Sequence, residues 1–128
     1  MSVFDKADGI TIDALIRMGF KVMSEYSGIV RHAMLVIRAV DLTYDSWEYG
    51  PALILDYYAD SGVKATRRYI DGEYKTLKVK FADIMDIETI IASEKTNMIN
   101  ELFTYWKETY PWKYSMSLEQ LRKLITFK

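Results

Sequence analysis

The feature that most constrains the fold is a pair of alternating segments joined by Asp71-Gly72. Residues 63–70 and 73–81 flank this dipeptide, and in the second segment apolar and polar residues alternate from Thr76 to Phe81. Alternation with a period of two is typical of a strand that buries one face. Asp-Gly favours a two-residue type I′ turn, because both of its residues tolerate positive φ. We therefore predict a β-hairpin with one buried face and one wet, basic face.

Two earlier segments have the composition of further strands. Residues 33–42 form a short, apolar and partly β-branched run, which favours a strand buried on both faces. A helix that extends this run back to Ile29 is the alternative. Residues 52–59 follow Pro51 and predict another strand, so that four strands succeed one another before the chain changes its pattern.

The N-terminal apolar residues follow the spacing of one helical face, which predicts a helix over about residues 11–26. Thr11 suits the N-cap, and Gly28 suits the end of the helix. Gly19 would lie inside this helix at a cost of about 1 kcal/mol relative to alanine. We expect tight packing against a neighbour to justify that glycine.

After the hairpin the apolar residues change to a helical period. Asp83 or Asp86 suits the start of this segment, because acids are stabilised at the positive end of a helix dipole. The polar stretch in its middle places Glu94 near the apolar seam. Two possibilities follow: one helix over residues 84–109, or two helices with Asn97 capping the second.

A capping-box pattern, Ser117-Leu-Glu-Gln120, opens a last short helix with leucines and Ile125 on one side. The predicted fold class is therefore α+β. It comprises an N-terminal helix, an antiparallel β-meander of about four strands with a hairpin turn at 71–72, and two or three C-terminal helices packed on one sheet face. Residues 1–128 fit a single domain.

Composition excludes several classes of chemistry. The chain has no cysteine, which rules out disulfides, thiolate metal sites and cysteine nucleophiles. Acidic residues near the N-terminus do not match a secretory signal, and the apolar runs are far shorter than the roughly 20 residues of a transmembrane helix. A net charge of −1 gives no overall attraction to nucleic acid or membranes. We expect a soluble protein, intracellular or within a virion, without a membrane partner.

The polar residues match no catalytic or metal-binding motif. His32 is the only histidine, and the sequence has no Gly-x-Ser-x-Gly nucleophile for it to serve. A first group of carboxylates comprises Asp41, Asp45 and Glu48, and it lacks the spacing and glycine of a calcium loop. A second group comprises Asp83, Asp86 and Glu88. Paired carboxylates can catalyse glycoside hydrolysis, but this group suits a helix start. We expect no enzyme activity, cofactor, metal or small-molecule substrate.

Charge is sorted along the predicted strands. Residues 41–60 carry five carboxylates and no base, whereas residues 61–82 carry six bases and two acids. Consecutive strand residues point to opposite faces, so one of two adjacent arginines joins the wet lysines and the other leaves at an edge or meets a carboxylate. The candidate polar contacts with a partner are Arg67, Arg68, Lys78 and Lys80. The alternative is a solvated sheet face, partly neutralised by Asp56 and Asp60.

Five aromatic residues fall within ten positions near the end of the long helical segment. Tyrosine and tryptophan dominate binding hot spots, because they bury much area and keep a polar group. The candidate apolar contacts with a partner are Tyr105, Trp106, Tyr110, Trp112 and Tyr114. The alternatives are packing of these rings under the sheet and against the last helix, or stacking on unpaired bases beside Lys107 and Lys113.

These surfaces predict a non-enzymatic protein–protein interaction module. Aromatic burial would supply affinity, and opposed charge patches would set register and partner choice. The partner would be another protein or a second copy of the chain, in a structural or adaptor role within a larger viral or mobile-element assembly. The alternatives are a small inhibitor that occludes a host enzyme and, ranked behind it, nucleic-acid binding through the basic 63–82 hairpin.

Overall fold

A computed structural model describes residues 10–41, 50–109 and 117–128 as an α+β fold with an antiparallel sheet, as the sequence predicts. The helices and strands follow one another in the order α1 (Ile12–Arg17), β1 (Lys21–Tyr26), β2 (Ile29–Asp41), β3 (Ala52–Tyr58), β4 (Gly62–Arg68), β5 (Tyr74–Thr76), α2 (Ile84–Thr109), α3 (Leu118–Leu124) and β6 (Ile125–Phe127). None of the helices in these described ranges is both long and apolar enough to cross a membrane.

The first five strands form an antiparallel meander in the order β1-β2-β3-β4-β5. The long strand β2 pairs with β1 near its start and with β6 at its end. Arg38 N–H donates to the carbonyl of Lys128, and Ala39 N–H donates to the carbonyl of Pro51 beside β3. Successive strand residues bond to opposite sides. Strand β6 therefore lies on the same side of β2 as β1, and it extends that edge of the sheet.

The N-terminal helix is shorter than the predicted 11–26. Thr11 caps it as expected, since its hydroxyl accepts from Ala14 N–H at 3.2 Å, but α1 ends at Arg17. The rest of the predicted helix is strand β1. Ser27 (φ 52°) and Gly28 (φ 78°) both have positive φ, which is the two-residue type I′ pattern of a hairpin. Strand pairing with β2 thus overrides a weak helical periodicity, and Gly28 is a turn residue rather than a helix stop.

The β1–β2 turn gives a first testable prediction. Gly28→Ala is expected to lower the free energy of unfolding by about 1–2 kcal/mol, because a β-carbon is strained in the left-handed region. No described residue would lie within 4 Å of the added β-carbon, so a clash with them does not contribute. Urea unfolding measures the change. The matched control is Ser27→Gly, which relieves the same strain and should be neutral or stabilising; an equal loss in both variants would contradict this turn geometry.

The hairpin predicted around residues 71–72 is confirmed, but its turn type is not. Of the two residues Asp71 and Gly72, only Gly72 has positive φ, at 93°. Tyr69 accepts from Gly72 N–H at 2.9 Å and donates to the Glu73 carbonyl at 2.8 Å, while the Asp71 carboxylate accepts from Glu73 N–H at 2.9 Å. This is a three-residue loop, a type I turn followed by a left-handed glycine. The outgoing strand β5 is three residues long, shorter than the predicted 73–81.

The segment 84–109 is one helix, α2, so Asn97 is an interior residue and not a cap. The predicted acidic start is confirmed, because the Asp83 carboxylate accepts from Asp86 N–H at 3.1 Å and the Asp86 carboxylate accepts from Ala82 N–H at 2.7 Å. The capping box at the start of α3 is also present. Helix α3 ends one residue before Ile125, which belongs to β6 instead of the helix.

The core lies between one face of the sheet and the helices. Its buried apolar members are Ile10, Leu15, Phe20, Ala33, Ala39, Leu53, Leu55, Ala65, Ile87, Met98, Leu102, Trp106, Leu121 and Ile125. Gly19 is explained by its backbone, with φ of 108° where the chain leaves α1. A β-carbon there would meet Leu35 at 3.5 Å, an ordinary contact. Positive φ, and not the tight packing expected from the sequence, accounts for this glycine.

Candidate functional site

A groove of about 570 Å³ opens between the β4–β5 hairpin and helix α2. This volume falls within the roughly 300–1,000 Å³ that is usual for ligand pockets. The hairpin and the segment after it contribute Arg67, Tyr69, Ile70 and Leu77. The helix contributes Glu94, Asn97, Asn100, Glu101, Thr104, Tyr105 and Glu108. The groove therefore has one wall of helix and one wall of hairpin.

A buried arginine forms the floor of the groove. Arg67 follows Ala65 on the face of β4 that α2 covers, and it is 1% exposed. Its Nε donates to Glu94 Oε1 at 3.0 Å, its Nη2 donates to Glu101 Oε1 at 2.7 Å, and its Nη1 donates to the Arg68 carbonyl at 2.7 Å. A buried cation is tolerated only when it is paired and hydrogen-bonded. The alternation of β4 thus forces the guanidinium inside, and α2 supplies its two partners.

The two carboxylates are themselves held in place. Glu94 Oε2 accepts from the side-chain amide of Asn97 at 2.8 Å, and Glu101 Oε2 accepts from the backbone N–H of Ile70 at 2.7 Å. All four carboxylate oxygens of these two residues therefore have a donor within the protein. The network ties the hairpin to the middle of α2 and fixes the width of the groove.

The groove carries excess negative charge. Among the described residues, its lining contains one cation, Arg67, and three carboxylates spaced seven residues apart along α2, Glu94, Glu101 and Glu108. Seven residues are close to two helical turns, so the three acids lie on one side of the helix. Glu108 is exposed in the last turn of α2, where the negative end of the helix dipole adds to its charge. Lys107, in the same turn, is not part of the lining, and its ammonium lies 5.2 Å from the Phe103 ring centroid.

Two tyrosines complete the lining. The guanidinium of Arg67 lies 4.7 Å from the ring centroid of Tyr69, which is within the range of a cation–π contact. Tyr105 is half-buried and faces the groove from the helix. The site thus offers aromatic surface beside carboxylates, a combination that suits an organic cation.

The structure brings together one member of each residue set predicted from the sequence. Tyr105, from the aromatic set, and Arg67, from the basic set, both line the groove. Trp106 is 3% exposed and belongs to the core, so it has almost no surface to offer a partner in this conformation. The remaining aromatic candidates, Tyr110, Trp112 and Tyr114, lie outside the described residues.

The other basic candidates lie apart from the groove lining. Arg68 projects from the opposite face of β4 to Arg67, and its Nε donates to the Gly50 carbonyl at 3.0 Å. Of the two outcomes predicted for one of these arginines, an edge or a carboxylate, Arg67 has the second, since it bonds to Glu94 and Glu101. Lys78 and Lys80 are exposed in the segment that follows β5. The predicted basic set is therefore divided: Arg67 belongs to the buried network, Arg68 is half-buried on the opposite sheet face, and Lys78 and Lys80 are exposed.

The only histidine lies on the sheet face opposite the helices. His32 Nε2 is 2.7 Å from Asp56 Oδ1, and its ring stacks on Tyr58 with centroids 4.5 Å apart. Asp56 lies opposite Lys64 in the strand register, yet its carboxylate is engaged by the histidine. Within the described ranges, no group of three or more histidine, aspartate or glutamate side chains is placed to hold a metal ion.

Sequence reasoning missed most of the helical wall. It placed Glu94 near the apolar seam but did not single out Glu101 or Glu108. The signal that was available is their spacing, because acids seven residues apart share one side of a helix.

Comparisons with protein-family models, with curated proteins and with solved structures found no match.

Proposed function

We propose that this protein is a non-enzymatic interaction module that binds a basic segment of a protein partner in the groove between the β4–β5 hairpin and α2. The observation that carries the proposal is the charge of the lining, in which the described part of the chain places three carboxylates and a single cation already bound by two of them. The proposal keeps Tyr105 as a contact residue. It changes the expected polar contact, because the groove itself offers acids to the partner.

The chemistry of the groove suits a guanidinium or ammonium group. Glu101 retains partial exposure, with 18% of its side chain accessible, and Glu108 is exposed. A cation held between them would lie in a partly enclosed site, where charge–charge attraction exceeds its value in water. Charge-assisted hydrogen bonds to carboxylates are about twice as strong as neutral ones. Asn100 and Thr104, which also line the groove, offer hydrogen-bonding groups to a peptide backbone.

The wider role that we propose is that of a subunit or adaptor in a larger assembly, viral or of a mobile element. An inhibitor of a host enzyme would use the same groove against a foreign basic segment. Nucleic-acid binding ranks behind both, because Arg67 is buried and ion-paired within the protein, where it cannot contact phosphates. It draws support from three exposed lysines, Lys75 on β5 and Lys78 and Lys80 in the segment that follows it.

The test is a fluorescence titration with two labelled nonapeptides that differ only in charge. One carries three arginines separated by alanine and glycine, and the other carries citrulline, the neutral isostere, at the same positions. We expect binding of the arginine peptide alone. Glu108→Lys should weaken it by about tenfold, equivalent to about 1.4 kcal/mol.

The matched control is Glu88→Lys, which makes the same charge change at an exposed position of α2 outside the groove lining. It should leave the affinity nearly unchanged. Equal binding of the citrulline peptide, or equal weakening by both variants, would refute the groove as the site. A third arm uses a single-stranded oligonucleotide. Tight binding that falls steeply with salt and is lost in a Lys78→Glu, Lys80→Glu variant would favour the nucleic-acid alternative.

A further inference from the structure

The part of the groove lining that belongs to α2 follows a regular stripe along the helix. Its members recur at alternating intervals of three and four residues, and they are Glu94, Asn97, Glu101, Thr104 and Glu108. This spacing repeats every seven residues, and it is the pattern along which one helix packs beside another. The stripe is about 21 Å long, at a rise of about 1.5 Å per residue. This wall therefore has the geometry of a helix–helix contact.

The two accessible acids of the stripe have a separation that a second helix matches. Glu101 has 18% of its side chain accessible, and Glu108 is exposed. Seven residues of helix place them about 10.5 Å apart, and two bases seven residues apart on a partner helix have the same separation and share one side. In an extended segment, residues on one side recur about every 6.7 Å, so their separations of about 6.7 and 13.4 Å fall on either side of that value.

The groove also offers apolar surface beside these acids. Tyr105 lies about one helical turn from both Glu101 and Glu108, and it lines the groove between them. From the hairpin side, Ile70 and Leu77 line the groove, and both are half-buried. A helix with one apolar face and basic residues on one flank would meet complementary surface on both walls, as in other grooves that bind amphipathic helices.

The hairpin wall carries the opposite charge at its rim. Lys75 is exposed, and it lies directly opposite Arg67 in the register of β4 and β5. Residues directly opposite each other in an antiparallel pair share one face of the sheet. Leu77, two residues later, lines the groove, in agreement with this alternation. The surface is therefore acidic along α2 and basic at the outer strand, so charge is sorted across the groove.

We propose that the occupant of the groove is an amphipathic helix of a protein partner. Its bases are seven residues apart along the flank that meets α2, and an acid lies on the flank that meets Lys75. This inference rests on the proposed function, because it specifies the shape and charge pattern of the basic segment bound there. Sorted charge selects one orientation, since a helix rolled to its other flank would place its bases beside Lys75 and its acid beside Glu101 and Glu108.

The experiment titrates two labelled helix-forming peptides that have the same composition. The first has arginines at positions i and i+7 and a glutamate at i+5, which lies on the opposite flank. The second exchanges the glutamate with the later arginine. We expect the first peptide to bind at least about tenfold more tightly, because the exchange places like charges together at both walls. Circular dichroism should show a gain of helix when the first peptide binds.

Lys75→Glu tests the orientation of the bound helix. It should weaken the first peptide and strengthen the second, each by a few-fold, which is the usual size of an exposed charge–charge effect. The matched control is Lys64→Glu, which reverses an exposed lysine on the opposite face of the sheet and should leave both affinities unchanged. Unfolding curves verify that each variant keeps the fold.

The outcomes separate this inference from the proposed function. Equal affinity for the two helical peptides, while the arginine nonapeptide still binds in preference to its citrulline form, would overturn the helical occupant and leave the groove as a site for basic segments. A failure of every arginine peptide to bind would overturn both. Binding of the first peptide without a gain of helix, or a response to Lys75→Glu no larger than that to Lys64→Glu, would also refute the inference.

Discussion

Arg67→Met is expected to lower the free energy of unfolding by about 3–5 kcal/mol, the usual result of removing one partner from a buried ion pair. Methionine fills much of the same space, so the loss reports on charge more than on volume. It leaves the carboxylates of Glu94 and Glu101 close together, with no cation between them. The 11% exposure of the Glu94 side chain leaves little water to take the place of the guanidinium. Urea unfolding followed by circular dichroism measures the change.

Two further variants isolate the cause of that loss. Arg68→Met removes the neighbouring arginine, whose Nε makes a single bond to the Gly50 carbonyl, and should cost about 1 kcal/mol. Combining Arg67→Met with Glu94→Leu should recover part of the stability. Replacing both partners of a buried ion pair by apolar groups is often tolerated, whereas removing one partner leaves an unpaired buried charge. If Arg67→Met costs no more than Arg68→Met, the buried network contributes little to stability and its role as the anchor of the groove fails.

The strands in the middle of the chain and the long helix were predictable because their signals are local. Asp71-Gly72 marks the turn between β4 and β5, and Asp83 and Ser117 lie where side-chain caps start helices. The N-terminal helix was predicted too long, because a few apolar residues at helical spacing can also occupy an exposed strand such as β1. The turn that decides the matter, Ser27-Gly28, is a weaker signal than Asp-Gly. Strand β6 was missed because a three-residue strand is set by its pairing with β2, not by its own sequence.

The groove itself was not predicted from the sequence; only the fate of one arginine in its lining was. Two adjacent strand residues must face opposite ways, so the sequence predicts that one arginine either leaves at an edge or meets a carboxylate. Its partners lie 27 and 34 residues further along the chain. Which acids it meets depends on the angle and height at which α2 crosses the sheet, and local periodicity carries no information on either. The same limit explains why Tyr105 and Arg67 appeared as members of two separate surfaces and not as neighbours.

Trp106→Ala is expected to cost about 3–5 kcal/mol of stability, which is the usual loss for a large aromatic side chain removed from a core. The ring is 3% exposed and packs in the same cluster as Leu102 and Met98, both fully buried. Only a fraction of the cavity left behind can be filled by relaxation of these neighbours. Since small domains are stable by about 5–15 kcal/mol, the variant should unfold at a much lower urea concentration.

The matched control is Met85→Ala, which removes a large side chain from the same helix at a position that is 72% exposed. It should change stability by less than about 0.5 kcal/mol, as surface substitutions usually do. A small loss of unfolding free energy for Trp106→Ala, together with weaker binding of the arginine peptide, would instead show that Trp106 contacts the partner, as the sequence predicts. A large loss assigns it to the core. The aromatic contact with a partner would then fall to Tyr105, the neighbour of Trp106 that faces the groove.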